Sequence, residues 1–148
     1  MKRNRNSKER QRGSTLVEFA IGATVFLTVM FAVIEFGRAL WVHNALSDAA
    51  RRGARYAVVH PATDSAAVKN VVVYGDPAGG TNPLVENLTT ANVNVNYSGF
   101  GLDGGTATVS ISNYSFQFVV PIASTSIRMP SYSSTLTAES AGLIPANL

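Results

Sequence analysis

From Phe19 to Ile34 no side chain is charged. This run separates a polar, basic stretch before it from an amphipathic stretch after it. Leu16, Val17, Phe19, Ile21, Val25, Phe26, Leu27, Val29, Met30, Phe31, Val33 and Ile34 supply its apolar surface. Beyond it, Ala39, Val42, Leu46, Ala49, Gly53 and Tyr56 recur at three- and four-residue steps, the spacing of one helix face. His43, Ser47, Arg51 and Arg55 line another row, and Asp48 and Arg52 form a modest i,i+4 pair. No proline interrupts Ser14 to His60, and Pro61 biases the residue before it away from helix. The pattern predicts about 45 residues of continuous helix, roughly 65–70 Å long at 1.5 Å per residue. Gly22, Gly37 and Gly53 are weak points that such a helix tolerates.

After Pro61 the periodicity changes. Asp64 or Thr63 is placed to cap a short helix through about Tyr74, with Gly75 as its stop. Val71-Val72-Val73-Tyr74 is β-branched enough to be a strand instead, and both readings stand at this stage. Residues 75–83, rich in Gly, Pro, Asp and Asn, read as a loop. Val93, Val95 and Tyr97 alternate with asparagines, and Thr106 to Ser112 alternates around Val109 and Ile111. Phe116, Phe118 and Val120 repeat every second residue up to Pro121, and Ser133 to Glu139 suits a last strand. The expected class is α+β: a long N-terminal membrane-spanning helix, then a small antiparallel β-sheet domain packed on its outer half. The expected division is a basic leader at 1–13, a long helix at 14–60 with its membrane segment at about 16–38, and an exported domain at 61–148.

Charge sharpens this division. Only 14% of the 148 residues are charged, against about a quarter in a soluble domain. Residues 1–13 hold Lys2, Arg3, Arg5, Lys8, Arg10 and Arg12 against Glu9, a sum of +5. The remainder holds six basic and eight acidic residues, a sum of −2, which together make the net +3. The basic character therefore belongs to the leader. A basic tail is also a nucleic-acid feature. One that abuts an apolar run instead fits the positive-inside pattern of membrane proteins, with lipid and not nucleic acid as the partner. The chain has no cysteine, which excludes disulfides, thiolate metal sites and cysteine nucleophiles.

Sixteen uncharged residues fall short of the ~20 that span a bilayer as a helix. Lengthening the span at either end admits Glu18, or Glu35 and Arg38. Glu35 and Arg38 stand three apart, so they share a helix face and can pair. With Trp41 nearby they read as a snorkelling interfacial ion pair at the outer surface. Glu18 is an acid near the inner end of the apolar helix. It is either a headgroup-level residue or a functional one, the default for an ionisable group in a membrane segment. An ordinary secretory signal would end in small residues after its apolar core. Gly37 and Ala39 are small, but helical patterning continues through them. A cut at Arg12-Gly13-Ser14 would instead remove the charges and leave the anchor.

Gly13-Ser14-Thr15-Leu16-Val17-Glu18-Phe19 resembles a type IV prepilin processing site. The resemblance implies cleavage after Gly13 by a prepilin peptidase on the cytoplasmic side, commonly followed by N-methylation of Ser14. Counting Ser14 as the first mature residue, Glu18 is the fifth, the position of the family's hallmark glutamate. Ile34-Glu35-Phe36-Gly37-Arg38-Ala39-Leu40, followed by Ala49-Ala50-Arg51-Arg52-Gly53-Ala54-Arg55-Tyr56-Ala57, resembles the TadE-like family, minor pseudopilins of the tight-adherence (Flp) pilus system. The stretch Tyr114-Ser-Phe-Gln-Phe-Val-Val-Pro121, ending near Ala138-Glu139-Ser140, fits the same layout. The resemblance covers most of the chain and is specific across about residues 12–58. Phe19 departs from the Glu-Tyr pair of major Flp pilins, and the lack of cysteine departs from members that carry a pair.

What the resemblance implies is a minor pseudopilin that primes, caps or joins a tight-adherence pilus. Its partners would be the prepilin peptidase, other pilins and pseudopilins, the inner-membrane assembly platform and membrane lipid. It would sit in a bacterial inner membrane with its N-terminus cytoplasmic and its domain exported, and the extracellular pilus would be a second location. Physically, cleavage creates a positive amine at Ser14 on a helix start, where added positive charge is unfavourable. The Glu18 carboxylate can neutralise it, between neighbouring subunits in a filament, and opposite charges in low dielectric set axial register.

Other motifs carry less. Gly99-Phe-Gly-Leu-Asp-Gly104 spells GxGxxG, but Gly105 and a β-patterned run follow where a dinucleotide site needs a helix. His43 and His60 lack metal-ligand spacing and an acid partner. Neither a GxSxG elbow nor a Walker loop occurs. Asn87-Leu-Thr89, Asn96-Tyr-Ser98 and Asn113-Tyr-Ser115 match glycosylation acceptors, a short pattern common by chance in such strands. No cofactor and no enzymatic activity are expected. Two alternatives remain open at this level: a membrane-tethered accessory protein that never enters a filament, and a tethered enzyme or ligand-binding module on the outer face.

Overall fold

A computed structural model describes residues 6–99, 105–119 and 126–137, with side chains from Gly13 onward. Helix α1 covers Asn6–Val58, about 80 Å at 1.5 Å per residue. It begins ahead of Ser14, so residues 6–13 continue the helix without a break. It stops at Val58 because Pro61 has no N–H to extend the ladder. The end is finished locally. Val59 N–H donates to the Tyr56 carbonyl, and the His60 ring also bonds that carbonyl at 2.9 Å while stacking on Tyr56.

The two halves of α1 differ in what covers them. From Gly13 to Ile34 every side chain but Ala23 is exposed. From Glu35 onward one stripe is buried: Val42, Leu46, Ala49, Gly53 and Ala57, widened by Ala50, Ala54 and Val58. This is the predicted stripe with more alanine in it. Small side chains there bring two further elements close to the helix axis.

The first is helix α2, Ser65–Tyr74, entered through a 3-10 turn at Ala62–Asp64. Val71–Tyr74 is therefore helical. Val68, Val71, Val72 and Val73 are all buried, so α2 buries more than one face, and packing overrides β-propensity. Asp64 stands at the N-cap, but its side chain makes no cap bond, and Thr63 bonds the Asp64 carboxylate instead of the helix. Gly75 ends the helix in the left-handed region at φ 79°, and its N–H bonds the Val71 carbonyl.

The second is a three-stranded antiparallel sheet in the order β1 (Val93–Ser98), β2 (Thr106–Ile111), β5 (Tyr132–Thr137). Helix α1 packs on β2 and β5, and α2 packs on α1 and β1. Register aligns the inward residues in rows: Val93–Ile111–Tyr132, Val95–Val109–Ser134 and Tyr97–Ala107–Leu136. The opposite face carries only Asn, Ser and Thr, including a Thr108–Thr135 hydroxyl pair at 2.8 Å. Gly53 is where the three layers meet. A Cβ there would lie 2.3 Å from Val72 Cγ2 and 3.2 Å from Val109 Cγ1.

A short hairpin completes the domain, β3 (Ser115–Gln117) paired with β4 (Ser126–Arg128). The regular strand expected through Val120 ends at Gln117, although Phe116 and Phe118 remain in edge-to-face contact. Val120 and Pro121, Ala138 to Ser140, and all of the GxGxxG string beyond Gly99 lie outside the described residues. That string joins β1 to its antiparallel neighbour β2, and a strand follows it, not a helix.

Candidate functional site

The residues singled out by sequence fall at two levels of α1. Gly13, Ser14 and Glu18 lie on its exposed N-terminal part. Among the described residues nothing approaches within 4 Å of a Cβ built at Gly13. Ser14 and Glu18 are four residues apart on the helix, hence on one face a turn apart. Among the described residues Glu18 makes no ion pair. Helical continuity thus brings Ser14 and Glu18 to one side, and both are exposed among the described residues.

The apolar run beyond them is suited to lipid or to other helices. Thr24 and Thr28 are its two hydroxyl residues. Each donates to the carbonyl four residues earlier, Ala20 and Thr24, at 2.8 Å. Their polar groups are satisfied inside the helix and need no water. Among the described residues α1 is the one helix long and apolar enough to cross a membrane, and none of its most apolar window is buried.

Glu35 and Arg38 lie at the other level. Arg38 Nη2 donates to Glu35 Oε2 at 3.0 Å. The same guanidinium donates to the Gln117 carbonyl of β3 and sits 4.3 Å from the centroid of the Phe116 ring. Glu35 is only 7% exposed. It stands on the stripe that continues through Ala39, Val42 and Leu46, so it faces the domain. The pair is therefore part of the junction between helix and domain. Arg38 Nε is buried without a hydrogen-bond partner among the described residues. It lies beside a cleft of about 160 Å³ walled by Trp41, Glu86, Tyr114, Phe118 and Val119.

Tyr114 and Tyr132 tie the domain together near this level, and burial raises the pKa of their hydroxyls, and of Tyr97 elsewhere on the sheet, above the usual value of 10.0. For Tyr114 the Glu86 charge adds to burial and Arg38 partly opposes it. Its hydroxyl donates to the Glu86 carbonyl at 2.8 Å. Tyr132 bonds His43 Nδ1 at 2.9 Å across the β5–α1 contact. The two histidines are thus tied to tyrosines, one through a hydroxyl and the other through a backbone carbonyl and a stacked ring. Among the described residues no group of three His, Asp or Glu side chains is placed to hold a metal ion.

Sequence reasoning did not find Phe116, Gln117 or Tyr132 as partners of α1, because those contacts cross 78 to 89 positions of chain. One signal was present: Glu35 lies four residues before Ala39, in phase with the apolar stripe.

Residues 13–55 match a family model described as TadE-like protein. The matched segment runs from the Gly13–Ser14 junction through the apolar run and the Glu35–Arg38 pair to Arg55. No curated protein and no solved structure matches the chain.

Proposed function

We propose, from the match of residues 13–55 to the TadE-like family model, that this chain is a TadE-like minor pseudopilin used in assembling a tight-adherence pilus. In this reading it waits in the bacterial inner membrane with residues 1–13 in the cytoplasm and the domain outside. Prepilin peptidase cuts between Gly13 and Ser14. The new Ser14 amine then pairs with Glu18 of a neighbouring subunit, and the assembly platform draws the helix out of lipid.

One observation carries the proposal. The side chains of α1 from Gly13 to Ile34, except Ala23, find no cover among the described residues, while the stretch from Glu35 to Val58 is built into a domain. A helix of this kind is stable in lipid and equally so against other apolar helices, which is what transfer from membrane to filament requires. The basic leader, the small residues at the junction and an acid one turn later are in the order such processing needs.

Mass spectrometry of the mature N-terminus tests this directly. A chain beginning at methylated Ser14 is expected. An intact Met1, or a cut near Gly37, would remove the proposal. A membrane-tethered accessory role is the second reading, favoured by the fully formed domain on the outer half of α1. Immunogold labelling of sheared pili separates the two, since an accessory protein stays with the membrane.

A further inference from the structure

We propose that the face of α1 around Arg51 and Arg55 binds the Glu86 side of a second copy of this chain, displaced outward along the helix axis. The displacement rests on the reading of α1 as a membrane anchor that is drawn out during assembly, and the charge contact stands apart from it.

The fold answers most of its own charges. Among the described residues Glu35 is paired with Arg38, and Asp48 with Arg52. The Asp64 and Asp76 carboxylates accept bonds inside their own turns, from the Thr63 hydroxyl and the Ala78 N–H, and Arg128 donates to Asn113. Arg51, Arg55 and Glu86 are exposed and have no ion-pair partner among the described residues. Lys69 is also unpaired there but half-buried on α2, and Glu18 belongs to the membrane end. Arg51 and Arg55 each stand two residues from Gly53, about 200° around the helix. They therefore point away from the packing of Gly53 against Val72 and Val109. Arg52 beside them reaches Asp48 only at 3.4 Å, and its Nε is buried without a hydrogen-bond partner among the described residues. This side of the helix thus sets three arginines against one acid. Guanidinium forks suit a carboxylate. Glu86 is the exposed carboxylate of the domain left without a cation among the described residues.

Level decides which copy can bring the two together. Glu86 lines the cleft walled by Arg38 and Trp41. From Trp41 to Arg51 is ten residues and from Arg38 to Arg55 seventeen, about 15–25 Å of helix. Attraction between exposed charges is largely screened beyond about 8 Å at physiological salt, so Glu86 cannot neutralise the arginines of its own chain. Two copies anchored side by side in one bilayer keep the same offset. A copy moved outward by about 15–25 Å, most of a hydrocarbon core of about 30 Å, brings its Glu86 level with Arg51 and Arg55 of the copy below. Each copy then still offers the opposite charge at its free end, a heterologous contact that repeats instead of closing. The contact therefore favours a subunit that has left the membrane over one that remains in it.

Opposite charge reversals in the full chain test the contact. In dodecylmaltoside micelles the natural chain should self-associate, and raising salt from about 0.05 to 0.5 M should weaken this at least about tenfold. Arg51→Glu with Arg55→Glu should lose the association at low salt, and so should Glu86→Arg alone. An equimolar mixture of the two variants should recover it, because each supplies the charge that the other lacks. Sedimentation velocity reads each sample. A natural chain that stays monomeric at low salt, variants that associate undiminished, or a mixture that does not recover would overturn the contact. If a reversed chain does not fold, Arg55→Gln and Glu86→Gln should each weaken association without a new charge, and undiminished association in both overturns the contact. The displacement is tested in vesicles of phosphatidylethanolamine and phosphatidylglycerol, with dyes on Ala62→Cys, since the chain has no other cysteine. Energy transfer between copies there should be the same for natural and reversed chains. Transfer that depends on these charges as strongly as association does in micelles would overturn the displacement and leave the anchor intact. A chain that does not float with the vesicles would overturn the anchor reading and the displacement with it, while the micelle result still decides the contact.

Discussion

The Arg38 guanidinium lies 4.3 Å from the centre of the Phe116 ring while it holds the Glu35 carboxylate at 3.0 Å. One side chain on the helix thus binds an acid on its own element and a strand 78 positions later. A cation over an aromatic face contributes about 0.5–2 kcal/mol. The larger consequence is for Glu35, which the domain has removed from water and which has Arg38 as its one ion-pair partner among the described residues.

Arg38→Met should therefore destabilise the domain by about 2 kcal/mol, the penalty of leaving a covered carboxylate unpaired, reduced because Arg38 is itself partly exposed. Glu35→Leu combined with Arg38→Met should cost less than Arg38→Met alone, since it removes the stranded charge. Denaturant unfolding in micelles, followed by Trp41 fluorescence, measures both. Equal losses in the single and double variants would show that the carboxylate is not the reason.

Gly53→Ala sets helix propensity against packing. Alanine is worth about 1 kcal/mol over glycine inside a helix. At Gly53 the added methyl would meet Val72 Cγ2 at 2.3 Å and Val109 Cγ1 at 3.2 Å, and overpacking typically costs about 1–3 kcal/mol. A net loss of stability is expected. Gly37→Ala meets nothing within 4 Å among the described residues and should be neutral or gain up to about 1 kcal/mol. Thermal unfolding of the pair distinguishes backbone from packing effects.

Stability should fall in alkali. Burial, chiefly, raises the Tyr97, Tyr114 and Tyr132 hydroxyls above 10.0. Below pH 10 both folded and unfolded chains keep these protons, and their contribution is whole. Above it the unfolded chain releases them first, so stability is lost as pH rises through the higher folded values. Tyr114→Phe should flatten that slope. It should also lower stability at pH 8 by about 1 kcal/mol, through loss of the bond to the Glu86 carbonyl. Unfolding curves between pH 8 and 11.5 give both quantities.

Glu18→Gln keeps size and hydrogen bonding but removes the charge proposed to meet the Ser14 amine. Membrane insertion and the mature terminus should persist, while recovery in pili falls about tenfold, the effect of losing about 1.4 kcal/mol. Quantitative immunoblots of the membrane and sheared-pilus fractions decide it. Undiminished recovery would leave Glu18 without the pairing role.

Local pattern determined much of this protein by itself. The uncharged run and the steps from Ala39 to Tyr56 specify the long helix, its apolar half and its buried face, because each depends on neighbours within two turns. Alternation around Val95 and Val109 specifies strands for the same reason. Tertiary structure decided what depends on distant partners. Val71–Tyr74 is helical because α2 is packed between α1 and the sheet, a burial that its β-branched sequence does not announce. Gly53 is a contact point and not merely a weak one, because Val72 and Val109 arrive there. Glu35 and Arg38 can pair by spacing alone. That they pair beneath the domain follows from Phe116 and Gln117, whose position depends on the closing of a chain segment nearly 80 residues long.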